Sequence, residues 1–165
     1  MLVPVAIQDL IPHNHCWGCG TLNPRGLQIK SFVEGDEAVC TFQPSPDHMA
    51  GPRNVLYGGI IAAVIDCHTV CTAIADAYRA AGVELGTGPL RWCVTASLRI
   101  DYLAPTPIDR PVDLRARVRE ASGRKRVVEC SVRSDGREVV RAEVVAVEVP
   151  AGWGGAPAGQ SSRDS

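Results

Sequence analysis

From Gly58 to Ala80 the chain carries small or apolar residues on nearly every helical face, with charge entering at Asp66 and then at Asp76 and Arg79. A helix that is apolar all round must be enclosed by other elements, so this segment predicts a central helix. After the loop from Gly82 to Pro89 the period changes to two: Val94, Ala96, Leu98, Ile100 and Tyr102 alternate with Thr95, Ser97, Arg99 and Asp101. That alternation predicts a long half-buried strand. Pro105, Pro107 and Pro111 end it, and three more β-patterned runs follow at Val112 to Glu120, Arg126 to Arg133 and Glu138 to Val149. They are joined by Ser122-Gly123 and Asp135-Gly136, pairs that favour tight hairpin turns. Upstream, Gly26 to Val33 and Val39 to Phe42 predict a hairpin about Glu34-Gly35-Asp36. The order β-β-α-β-β-β-β implies an α+β layer architecture, an antiparallel sheet wrapped around one helix.

Residues 1–25, broken by Pro4, Pro12 and Pro24, read as an irregular segment or short helix; residues 26–149 form the domain. Residues 150–165, rich in Gly, Ser and Ala and without periodicity, read as a disordered tail. A chain of 165 residues buries a sufficient core as one domain without disulfides or metal. A net charge of -1 with 45% hydrophobic residues excludes general disorder and gives no dedicated nucleic-acid surface. No apolar run is expected to reach the roughly 18 residues of a membrane span, and no Lys or Arg precedes Arg25 to begin a signal peptide. The expectation is a cytoplasmic protein with neither membrane nor nucleic-acid partner. The seven cysteines are an odd number scattered along the chain, mostly in apolar patterns, as reduced packing thiols are.

Asp66 stands in the apolar run Ile60 to Ile65, where an unpaired charge is costly, and Tyr57-Gly58-Gly59 precedes it. A helix N-terminus opened by two glycines offers free backbone N–H groups to a developing oxyanion, and a carboxylate beside such a nest is a catalytic pairing. The alternative is a carboxylate that caps a loop or pairs with an arginine. Thr69 shares the Asp66 face, although a helical Thr commonly bonds back to the helix carbonyls. His68 points about 100° away and reads as a packed histidine. His13, His15, Cys16 and Cys19 supply four possible zinc ligands within seven residues. Zinc sites normally draw ligand pairs from two separated segments, so this compact group is read as a structural loop and no metal is expected. The arginines from Arg115 to Arg141 alternate with apolar residues, which places most of them on the solvated sheet face, interspersed with glutamates. Such a face can also hold phosphates through bidentate arginine contacts.

The series Cys16-Trp17-Gly18-Cys19-Gly20, Asn23-Pro24-x-Gly26-Leu27, Gly58-Gly59, Asp66 and Ile100-Asp101-Tyr102-Leu103-Ala104-Pro105 resembles the hotdog-fold acyl-CoA thioesterases of the phenylacetate-degradation (PaaI-like) type over about residues 16–148. The resemblance implies a curved antiparallel sheet around a long helix, a homodimer or homotetramer, hydrolysis of a coenzyme A thioester, and no cofactor. It implies Asp66 as base or nucleophile, the Gly59 N–H as oxyanion donor with Gly58 beside it, and Thr95 as the residue that positions water. Tyr57 stands where that family usually carries His, and a phenol donates a hydrogen bond without reproducing imidazole geometry. Asn54, three residues earlier, is a candidate for polarising the carbonyl or a simple turn residue. Gly59 and Asp66 are seven residues apart, about 10 Å along a helix, which implies a site shared between two chains. The departure at Tyr57 leaves a second reading, a non-catalytic hotdog module that binds an acyl thioester or a partner protein.

Overall fold

The computed structural model describes residues 4–153, so the expected tail lies, beyond Trp153, outside the described residues. Their order is β1 (Phe32–Glu34), β2 (Glu37–Phe42), α1 (Gly58–Ala80), β3 (Trp92–Tyr102), β4 (Val112–Ser122), β5 (Lys125–Ser134) and β6 (Arg137–Val149). The strands form one antiparallel sheet in the order β1-β2-β4-β5-β6-β3. The predicted turns set its hairpins: Asp135 and Gly136 both take positive φ, 50° and 72°, as a two-residue turn matched to strand twist requires.

Helix α1 lies against five of the six strands. Its Val64, Ile65 and Ile74 are buried with Leu114, Val128, Val132, Val140 and Val144 of the sheet, each side chain worth about 1.5–3 kcal/mol when fully buried. With 23 residues and a mean hydropathy of 1.6 over its most apolar 18, α1 is long and apolar enough to cross a membrane, contrary to the expectation from the sequence. Just over half of its most apolar stretch, 56%, is enclosed in the protein, and this packing accounts for its composition. Its C-terminal end closes on Gly82 at φ 66°, with the Gly82 N–H donating to the Arg79 carbonyl (3.0 Å) and the Val83 N–H to that of Tyr78 (3.1 Å). At the other end Tyr57 is the N-cap and its side chain makes no capping bond.

The predicted strand from Gly26 shrinks to three residues. Gln28 takes φ 54° and donates through Nε2 to the carbonyls of Gly20 and Asn23, both at 2.6 Å, which breaks the extended run. Residues 27–31 instead dock on the N-terminal loop, Leu27 N–H donating to Trp17 O (2.9 Å) and Ile29 N–H to Gly18 O (3.1 Å). That loop belongs to the core, with Ile7, Ile11 and Cys19 buried in it.

Two buried polar groups tie the layers together. The Gln8 amide bonds Ser31, whose hydroxyl lies 2.9 Å from Nδ1 of the fully buried His68. Arg126, only 4% exposed, pairs with Asp76 of α1 (2.9 Å) and lies 3.6 Å from Glu148. The sequence pattern grouped Arg126 with the outer arginines. Its side chain faces the helix instead, while Arg115, Arg117, Arg119 and Arg141 are exposed and paired with glutamates on the outer face.

Candidate active site

Asp66 and Thr95 meet between α1 and β3, the Thr95 hydroxyl donating to Oδ1 of Asp66. Both are half-buried, so Asp66 is less enclosed than its apolar neighbourhood predicts, and one of its oxygens already has a partner. A few residues on, the Tyr102 hydroxyl donates to the Gly58 carbonyl at 2.8 Å, which fixes the start of the helix against the same strand. Thr95 and Tyr102 differ by an odd number of positions, and a strictly alternating strand would aim them at opposite faces. The register of β3 against β6 skips Ala96, so a bulge lets both side chains reach α1.

Ile60 and Ile61 both donate to the Tyr57 carbonyl, at 3.0 and 3.2 Å. Gly58 and Gly59, ahead of them and without a capping side chain, keep the free N–H groups of a helix N-terminus. The Tyr57 ring, 55% exposed, folds over Gly59 so closely that a Cβ there would come within 2.4 Å of it. Beside Asp66 opens a cleft of about 260 Å³, lined by Thr95, Cys67, Val70, Trp92 and Val94 among others. A larger concavity of about 550 Å³ lies over ion-paired residues such as Arg117, Glu129 and Glu143 of the outer face and does not include Asp66.

The other candidates do not join this group. Thr69 is fully buried and donates to the carbonyls of Ile65 (2.8 Å) and Asp66 (3.1 Å), so its hydroxyl is not presented to a substrate. Asn54 is an exposed turn residue at φ 66° whose main-chain carbonyl accepts from Ile108 N–H at 3.1 Å, the turn role. His68 is packed, and burial pushes its pKa down from 6.5 to about 4.

Sequence reasoning missed a cluster of thiols on the wall of the cleft. Cys16, Cys19 and Cys67 bring their sulfurs within 4.8 Å of one another, and Cys71, one turn after Cys67 on α1, lines the same cleft. The neighbouring thiols of Cys16, Cys67 and Cys71 hold the Cys19 thiol below its ordinary pKa, against the effect of its burial. Contact with the neighbouring thiols, and then burial, push Cys67 and Cys71 upward. The available signal was the pair Cys67 and Cys71, four apart on one helix face. His13 and His15 are exposed and stand outside the cluster.

The Thioesterase superfamily model matches residues 53–141, a span that holds both Asp66 and Thr95. A thioesterase superfamily protein from Shewanella loihica PV-4, of solved structure, is 36% identical, with 84% of this chain and 96% of that one covered and a TM-score of 0.64. The chain belongs to the thioesterase superfamily, and its sheet wrapped on a single helix is the hotdog fold. The acyl-coenzyme A thioesterase THEM4 of Xenopus laevis is 33% identical over 109 residues, 66% of this chain and 43% of that protein. Its Bos taurus counterpart is 29% identical over 111 residues, 66% of this chain and 40% of that one. The chain thus spans about two fifths of the length of these curated relatives. A Pyrococcus horikoshii protein at 15% identity and TM-score 0.62 shares the fold.

Proposed function

We propose that the protein hydrolyses an acyl- or aryl-coenzyme A thioester, in the manner of the PaaI-like thioesterases, with Asp66 as base or nucleophile. The observation that carries this reading is the Thr95–Asp66 hydrogen bond at the mouth of the cleft, because it fixes one carboxylate oxygen and leaves the other for chemistry. As base, Asp66 takes a proton from water as its oxygen attacks the thioester carbon. The tetrahedral oxyanion rests on the Gly59 N–H, and the C–S bond then breaks to release coenzyme A thiol, which recovers the proton. As nucleophile, Asp66 attacks the thioester carbon and expels coenzyme A as its thiolate to leave a mixed anhydride, which water opens to the free acid and the regenerated carboxylate while the released proton passes to the thiolate.

A homodimer supplies the geometry. β3 is an edge strand of 11 residues whose Ala96 to Arg99 are all exposed, an unpaired ladder that invites a second copy. With two antiparallel helices, Gly59 of one chain faces Asp66 of the other. The seven free thiols suit a reducing compartment, and we place the protein in the cytoplasm.

The test is thiol release from a panel of aryl- and fatty acyl-CoA substrates. Wild type should turn over at least one of them and Asp66→Asn none, with the melting temperature held or raised, since a half-buried charge is removed. An Asp66→Asn protein that hydrolyses at near wild-type rate overturns the assignment. The Tyr57 ring over Gly59 favours the second reading, a module that binds without hydrolysis, and in that case the whole panel is inert but bound.

A further inference from the structure

We propose that Cys16, Cys19, Cys67 and Cys71 form a tetrathiolate site for a soft divalent metal ion of the zinc class. The objection raised by the sequence was that Cys16 and Cys19 lie in one short segment. The fold removes it, because α1 supplies the second pair from 51 residues away, with the Cys16 and Cys67 sulfurs 3.5 Å apart. A tetrahedral ion with metal–sulfur bonds of about 2.3 Å separates its sulfurs by about 3.8 Å. Three of the sulfurs lie within 4.8 Å of each other, so little movement closes them on one centre. Cys71, one turn beyond Cys67 on α1 and on the wall of the same cleft as the other three, would take the fourth corner.

The loop is built for this approach. A Cβ on Gly18 would sit 2.2 Å from the Cys67 sulfur, and one on Gly20 would sit 2.5 Å from the Cys16 nitrogen. Only glycines let the Cys16–Gly20 turn close, with the Gly20 N–H donating to the Cys16 carbonyl at 2.7 Å. Asn14 supplies an outer shell, its Nδ2 directed at the Cys19 sulfur (3.7 Å) while Oδ1 accepts from the Cys16 N–H (3.0 Å). Half-buried Cys16 gives the ion a way in. The metal would pin the N-terminal loop to α1 at the residue after Asp66 and so fix one wall of the cleft, a structural role needing no change in the hydrolytic chemistry.

The test uses the full chain, purified under reducing conditions without chelator. Elemental analysis should find close to one zinc per chain. Protein stripped of metal and titrated with Co²⁺ alone should develop thiolate-to-cobalt charge-transfer absorption that saturates at one equivalent, with a rise in melting temperature. Cys16→Ser and Cys71→Ser should each weaken Co²⁺ binding by more than about tenfold, the scale of an outer-shell loss. Cys130→Ala, buried in the core away from the cluster, should bind Co²⁺ as wild type does. Circular dichroism checks that each variant folds. Metal-free protein with no charge-transfer band on Co²⁺ addition would overturn the site. So would a Cys16–Cys67 disulfide found by mass in the freshly isolated protein, or a Cys16→Ser variant with undiminished Co²⁺ affinity.

Discussion

Thr95 decides which oxygen of Asp66 is available, and its removal should be felt in turnover rather than in binding. Hydrogen bonds to a charged group are worth about 1.5–3 kcal/mol, so Thr95→Val should lower kcat on the order of 10- to 100-fold with KM little changed. Steady-state kinetics on the best substrate of the panel checks this, and Thr95→Ser should restore most of the rate. His68 carries a prediction of another kind. Burial keeps it neutral in the folded protein down to about pH 4, whereas the unfolded chain takes up a proton near 6.5. The unfolded state therefore binds more protons in that window, and stability falls as pH drops from 6.5 towards 4, by up to about 3 kcal/mol. Urea unfolding across that range should show the slope, and His68→Gln should flatten it. At this scale the sequence picked out Asp66 and Gly59 as candidates through their spacing, and the family resemblance added Thr95, which the structure places against Asp66. It failed to settle Thr69 and Asn54, because whether a hydroxyl serves a substrate or its own helix depends on burial that no local pattern records.

The bulge at Ala96 is what makes β3 more than an amphipathic strand. Deleting Ala96 restores strict alternation, which aims Tyr102 away from Gly58 if Thr95 keeps its place, or displaces Thr95 if Tyr102 does. The deletion variant should stay folded and lose at least about tenfold in activity, measured by thiol release beside a thermal melt; full activity would show that the two contacts are not needed together. The central helix and the strands from β4 to β6 were legible because period and turn residues agreed there. β3 was half legible: its extent was read, but the alternation predicted one inward face, and the structure uses residues of both parities. Gly26 to Ser31 was misread as strand because its apolar residues suit a sheet, while the backbone at Gln28 and the docking on Trp17 and Gly18 send it elsewhere.

For the whole molecule the central question is whether one chain suffices. Mixing inactive Asp66→Asn with inactive Gly59→Leu, in which the new side chain would strike the Tyr57 ring, should restore activity to about a quarter of wild type when subunits exchange at random, since half the dimers are mixed and each holds one intact site of two. Confirmed exchange without recovery would place both residues in a single-chain site. The charge cluster of Arg126, Asp76 and Glu148, which joins β5, α1 and β6 beneath the sheet, bears on how the molecule meets heat. The cost of stripping water from such ions declines as temperature rises, while the gain per area of apolar burial levels off. Warming therefore shifts the load of holding helix to sheet from the aliphatic core towards this one guanidinium, and its share of the remaining stability is greatest just below the melting temperature.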